Sequence, residues 1–327
     1  MEGINNMSKF IMLVGIPASG KSTFAQKLKE KEEDVKIVSS DSLRKEIFGD
    51  INHQGDNDKL FAKMNDLVRE KLSKGKDVVL DSTNLYFKRR KHLLNYVYNN
   101  YYDEAICYYM NIPIEIAHKR NIKRNKKIKE RQVPETLVKD MSEMVCIPQH
   151  FEGWDEINVI NNFDLNKKFL KVDQKFFEEI IKKSKSNMLF TTLGKSYFDI
   201  FAKYNEEIKY KTLNLMKKVR DLTLNPQEKT KLLISALYYF SGKSLKEIDD
   251  SRKYVNFENL SAVITLNHLP FLDYDHEIIL SIAKLIQYSK EFEYGYSIAA
   301  KDNLDVIFPR KEEYCLAKEF YHCLKQV

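Results

Sequence analysis

The chain reads as an α/β domain built on a mainly parallel sheet, followed by an all-α domain. Three observations carry that reading. Short apolar runs alternate with amphipathic helical segments through the first half. The first run leads into Gly15-Ile16-Pro17-Ala18-Ser19-Gly20-Lys21-Ser22, which fills every fixed position of the phosphate-binding loop G-x-x-x-x-G-K-[S/T]. Beyond about Lys167 the strand signal stops and helical periodicity takes over. The expected division is residues 1–165 and 166–327, as suits a chain long for a single core.

Phe10 to Val14 is a short apolar run, right for a buried strand, and Thr23 to Leu28 reads as a helix start. A strand entering a glycine turn and then a helix N-terminus gathers backbone N–H groups around an anion. Further strands are expected over Val35–Asp41, Asp77–Asp81, Ala105–Met110 and Ile157–Ile160. Amphipathic segments lie between them over Asp58–Lys74, Phe87–Asn99, Pro113–Asn125 and Glu135–Val145, with Pro134 at the first helical position of the last. Strands alternating with helices imply a sheet covered on both faces, with ligands at the carboxyl ends of its strands. That rule puts the phosphate loop, Asp41 and Asp81 on one rim.

Composition excludes several classes. With 43% hydrophobic and 31% charged residues the chain is ordinary for a globular protein, and no apolar run approaches membrane-spanning length. The first seven residues carry no secretory signal pattern. Cys107, Cys146, Cys315 and Cys323 are scattered and form no C-x-x-C pair, so reduced cysteines in a cytoplasmic protein are expected. The net charge of +7 is locally concentrated.

The candidate chemistry follows from the loop. Gly15, Ser19, Gly20, Lys21, Ser22 and Thr23 would hold the phosphates of ATP. Lys21 would supply a point charge on the β/γ-phosphates, and the Ser22 hydroxyl would complete a Mg²⁺ shell. Asp41-Ser42-Leu43-Arg44 follows the second strand. If Asp41 opens a helix, Arg44 lies one turn on and faces the same way. Phosphoryl transfer to a hydroxyl needs an acceptor for the proton and profits from a cation near the acceptor's own phosphate, roles that suit Asp41 and Arg44. Asp81 occupies the position of a Walker-B-type acid and is a second candidate for Mg²⁺. From His118 to Arg131, eight Lys or Arg residues stand against one acid. Arg120 and Arg124 share a helical face there, as a basic lid over a triphosphate requires. Lys88-Arg89-Arg90-Lys91 is a second basic patch, read either as helix surface or as a track for a nucleic-acid backbone.

Taken in order, Gly-x-Pro-x-Ser-Gly-Lys-Ser-Thr, Ser40-Asp41-x-x-Arg44, Asp81-Ser-Thr-Asn84 and Lys119-Arg-Asn-x-Lys-Arg124 before Val133-Pro134 resemble the P-loop polynucleotide 5′-hydroxyl kinases. The likeness runs over about residues 8–160. It implies that Lys21 and Ser22 take the triphosphate and metal, and that Asp41 is the general base on a 5′-hydroxyl of RNA or DNA. It further implies that Arg44 grips the neighbouring phosphate, and that Arg120 and Arg124 are lid arginines. Kinases of small metabolites, nucleotide sugars and aminoacyl-tRNA share much of this plan, as would a nucleotide-gated binding module.

In the second half, helices are expected over 176–183, 195–222, 226–239, 257–269, 276–290 and 311–326. Leu232 to Lys243 resembles the core helix of HD-type metal-dependent phosphohydrolases, Tyr254 to Ala262 their following segment, and Leu285 to Lys290 a later one. Where that family has its His-Asp pair this chain has Tyr239-Phe240, and Phe257 and Ser289 stand at two further histidine positions. Such side chains cannot replace imidazole and carboxylate ligands. The resemblance therefore implies a degenerate HD-like domain without its metal site. It would serve as a scaffold or a docking surface for a second copy, an end-repair partner or the acceptor.

Overall fold

The run that enters the phosphate loop is β1 (Lys9–Val14), buried at every position after Lys9. A strand that is apolar on both faces needs cover on both, which places it inside a parallel sheet. In the computed structural model the sheet order is β2 (Lys36–Ser39), β3 (Val78–Asp81), β1, β4 (Glu104–Asn111) and β5 (Glu156–Asn161), with every pairing parallel. The structure describes residues 8–32, 34–53, 55–98, 102–128, 130–165, 182, 190, 199–246, 257–272, 274–293 and 304–327. Within them the chain divides into two compact units, Met1–Phe163 and Asp164–Val327.

Register decides what meets at the rim of the first unit. Asp81 is level with Leu13 of β1 and with Ser39 of β2, so the exits of β1, β2 and β3 open side by side. From these exits run α1 (Lys21–Lys31), which starts inside the phosphate loop, and α2 (Ser40–Phe48), which has Asp41 in its first turn. α2 makes the conditional helix at Asp41 real, and Gly49 closes it at φ 73°, a left-handed conformation that favours glycine. One face of the sheet buries Ile11, Leu13, Val79 and Ile106 against Ala25 of α1, with Phe24 and Leu28 packed on them. α3 (Asn57–Ser73) packs on β2 and β3. Its Leu60, Met64, Val68 and Leu72 recur every four residues and form its buried stripe.

α4 (Phe87–Tyr98), α5 (Ile114–Lys127) and α6 (Glu135–Glu143) complete the unit. Pro134 takes the N-cap of α6 and not its first helical position, because its ψ of 141° is extended and the helix begins one residue later. Arg90 of α4 turns inward, so the basic patch 88–91 is not all surface. Its guanidinium donates to Glu152 at 2.7 and 2.6 Å and to the Asn84 carbonyl at 2.8 Å.

The second unit is helical: α7 (Glu206–Asp221), α8 (Pro226–Tyr238), α9 (Ser241–Lys246), α10 (Phe257–His268), α11 (His276–Tyr288) and α12 (Lys311–Leu324). The helix expected from 195 is broken, since Asp199–Lys203 is a 3-10 turn and Asn205 caps a fresh start at α7. Asn225 and Glu228 form a capping box around Pro226 at the entry to α8. Phe240 and Phe257 stack at 6.2 Å, and Tyr239 meets Phe257 edge-on at 5.7 Å. Glu258 accepts from Tyr239 Oη at 3.1 Å and pairs with Lys290 Nζ, which also sits 4.8 Å above the Phe257 ring. The helix expected over 176–183, apart from Lys182, and residues 254–256 of the HD-like segment lie outside the described residues.

Candidate active site

The phosphate loop closes because two of its positions exclude a side chain. At Gly15 (φ 154°) a Cβ would stand 2.8 Å from Ser19 Oγ and 3.2 Å from the Met110 carbonyl. At Gly20 (φ 97°) it would collide with the Asn162 amide. Gly15 N–H donates to the Thr83 carbonyl at 3.1 Å, and Asn84 Nδ2 to the Leu13 carbonyl at 2.8 Å. The exit of β3 is thereby stapled to the exit of β1, beside the loop. On the far side Asn162, just beyond β5, donates its Nδ2 to the Ser19 carbonyl at 2.8 Å.

Lys21 is buried in the first turn of α1, and its ammonium donates to the carbonyls of Gly15 at 2.8 Å and Ile16 at 2.9 Å. Burial pulls its pKa down to about 8, with Asp81 and Asp41 opposing that shift. A cation enclosed by its own loop's carbonyls is poised for an anionic ligand that supplies better acceptors. Asp81 is buried at the end of β3, while Ser22 is exposed. Both border a cavity of about 750 Å³ that the loop encloses with Thr23, Asp41, Arg120, Arg124, Arg131 and Asn162.

Arg120 and Arg124 project from α5 into this cavity, one turn apart. Arg120 Nη2 donates to the Asn162 carbonyl at 3.0 Å and Arg124 Nη2 to Asn121 Oδ1 at 2.6 Å. Asp41 sits at the mouth, its carboxyl pushed upward by burial and, more weakly, by Asp81. Arg131 opposes that rise by pairing with Asp41 Oδ2 through Nε at 2.7 Å. Arg44 does not reach this cavity. It donates to Asn57 Oδ1 at 2.9 Å and to the His53 carbonyl.

A second cavity, of about 600 Å³, opens on the other side of Asp41. Arg44, Phe61, Tyr86, Lys88 and Arg89 line it, and Asp41 and Arg131 border both cavities. The Arg89 guanidinium lies 5.0 Å from the Phe61 ring and 5.8 Å from Tyr86.

Two residues that complete the site were not assigned from sequence. Arg131 belongs to the basic run, but α5 ends at Lys127, so helical spacing from Arg124 does not reach it. Asn162 contacts Ser19 across 143 positions, and no local pattern marks it.

Residues 10–145 match the family model described as an AAA domain. The N-terminal unit has the P-loop kinase fold. Over 149 residues the chain is 30% identical to the L-seryl-tRNA(Sec) kinase of Methanococcus maripaludis, a match that takes in 44% of this chain and 55% of that protein. The chain thus spans about half the length of that curated relative. Among solved structures, a chain of the Pnkp1/Rnl/Hen1 RNA repair complex is 23% identical with a TM-score of 0.39, over 44% of this chain and 45% of its own. A fungal RNA kinase aligns over 68% of this chain and 100% of its own at 14% identity, with a TM-score of 0.37.

Among the described residues no group of three or more His, Cys, Asp or Glu is placed to hold a metal ion. Mg²⁺ at a triphosphate takes one or two protein oxygens and otherwise phosphates and water. Ser22 and Asp81, both on the loop cavity, fit that donor set. No helix among the described residues is long and apolar enough to cross a membrane.

Proposed function

We propose that the N-terminal unit transfers the γ-phosphate of ATP to the 5′-hydroxyl end of RNA or DNA, with Asp41 as general base. The observation that carries this reading is the position of Asp41, at the junction of the phosphate-loop cavity and a second, cationic and aromatic cavity.

The triphosphate takes the loop N–H groups and draws Lys21 from the Gly15 and Ile16 carbonyls to its own oxygens. Arg120 and Arg124 offset charge on the donor. Mg²⁺, held by Ser22 and Asp81 when bound, would neutralise the β- and γ-oxygens. The acceptor strand enters the second cavity, where Arg44 meets its first phosphate and Phe61, Tyr86 and Arg89 offer flat surfaces for a base. Asp41 accepts the proton of the acceptor hydroxyl, and its burial makes it a better base than an exposed carboxylate.

A second reading is favoured by one observation. The 30% identity to an L-seryl-tRNA(Sec) kinase makes the hydroxyl of a serine carried on tRNA an alternative acceptor at the same Asp41. For the second unit we infer the degenerate HD-like scaffold. The packing of Tyr239, Phe240 and Phe257 together supports it, because a metal centre would need imidazoles and carboxylates there.

The test is the ATP turnover of the full chain with matched oligonucleotides ending in 5′-hydroxyl or 5′-phosphate, beside seryl-tRNA. Stimulation by the 5′-hydroxyl ends alone supports the proposal. Stimulation by seryl-tRNA alone replaces it with the second reading.

A further inference from the structure

Arg131 borders both cavities, whereas Arg120 and Arg124 line only the first and Arg44 only the second. Its place does not depend on the pair with Asp41. Around it, Asn52 Nδ2 donates to the Glu130 carbonyl at 2.7 Å, and Gln132 N–H donates back to Asn52 Oδ1 at 2.8 Å. Asn121 and Asn125 each donate an Nδ2 to the Val133 carbonyl at 2.8 Å. The main chain on either side is clamped, so the guanidinium can turn while its Cα stays at the junction.

The pair with Asp41 also poses a chemical problem. A carboxylate tied to a guanidinium is a weaker base than a free one. Lys21, Asp41 and Arg131 line one cavity, and under the phosphotransfer reading a phosphoryl group there would offer oxygens that are the better bidentate partner for an arginine.

We propose that Arg131 is a catalytic residue that changes partners: it neutralises Asp41 in the empty site and turns to the transferring phosphoryl group when the triphosphate is bound. In the step itself the bond between the γ-phosphorus and the β,γ-bridging oxygen breaks, and ADP leaves with that electron pair. A bond forms between phosphorus and the acceptor oxygen, whose proton passes to Asp41. Arg131 stays with the phosphoryl oxygens throughout, so Asp41 is free when the proton arrives. This rests on the phosphotransfer reading but not on the identity of the acceptor.

The test is a double-mutant cycle on ATP·Mg²⁺ affinity in the full chain, crossing Asp41→Asn with Arg131→Gln. If Arg131 exchanges partners, Arg131→Gln weakens ATP by about ten-fold in the Asp41→Asn background, as expected for one charge-assisted hydrogen bond. It weakens ATP less with Asp41 present, because the lost ion pair offsets part of the effect. An arginine that only pins its segment to α2 gives the opposite order, and equal ATP affinities of Asp41→Asn and the double variant would overturn the proposal. Single-turnover rates give a second readout. Arg131→Gln should slow transfer by ~10²–10³-fold, and Arg131→Lys should not restore it, since lysine keeps the charge but not the fork. Full rescue by lysine would mark a structural pin. The binding cycle needs no acceptor, so an intact cycle without label on any 5′-hydroxyl end removes the polynucleotide reading and leaves Arg131 its role.

Discussion

Glu152→Ala strikes the point where the rim of the first unit is held. Arg90 and Glu152 have side chains 1% and 0% exposed, joined through two hydrogen bonds of 2.7 and 2.6 Å. Glu152 also accepts from Trp154 Nε1 and from Gln149 N–H, each at 3.1 Å. Arg90 in turn donates to the carbonyl of Asn84, whose amide staples the exit of β1. Removing the carboxylate leaves a buried guanidinium without its counter-charge, which costs about 3–5 kcal/mol. A domain has only about 5–15 kcal/mol to lose. With a urea slope of about 2 kcal/mol per molar, the midpoint should fall by roughly 1.5–2.5 M. Trp154 is the chain's one tryptophan and lies in the first unit, so its fluorescence follows that unit alone. Arg90→Met should cost about as much, and the double variant Arg90→Met/Glu152→Leu should fall short of the sum by ~2 kcal/mol or more, since neither charge is then stranded. Single losses below about 1 kcal/mol, or strict additivity, would show that the buried Arg90–Glu152 pair does not hold this rim.

Arg44→Ala should raise the KM for a 5′-hydroxyl oligonucleotide about ten-fold and leave the ATP KM within about two-fold, because Arg44 lines only the second cavity; steady-state kinetics with each substrate varied will check it. Asn162→Ala should weaken ATP binding several-fold, roughly one hydrogen bond's worth, by releasing the Ser19 carbonyl, as read by equilibrium titration. His268 is half-buried, and the desolvation of its ring pulls its pKa from 6.5 down to about 3. The unfolded chain therefore binds a proton below pH 6.5 that the native imidazole refuses, and stability falls as pH drops through that window. Between pH 6.5 and pH 5 the loss is at most roughly 1.6 kcal/mol, visible as a lower unfolding midpoint of the second unit by circular dichroism and absent in His268→Gln.

What was legible in the sequence was local. β1 and the phosphate loop are marked by an apolar run and by glycines that tolerate no Cβ, both of which act within a few residues. The spacing of Arg120 and Arg124 works for the same reason, since one continuous helix carries both into one cavity. Arg131 escaped because its partner Asp41 lies across the fold and the intervening chain is not helical. Arg90 was misleading, because a Lys-Arg-Arg-Lys run looks solvated and its buried partner Glu152 is 62 residues away. Asn162 has no signal short of the sheet order, which brings the end of β5 to the phosphate loop.

The most direct measurement of the central claim is transfer of labelled γ-phosphate from ATP·Mg²⁺ to matched 5′-hydroxyl RNA and DNA oligonucleotides, comparing the native chain with Asp41→Asn. The native protein should label an oligonucleotide, and the variant should do so ~10²–10⁴-fold less while ATP still binds. Label on no 5′-hydroxyl end, or equal labelling by the variant, would contradict that claim.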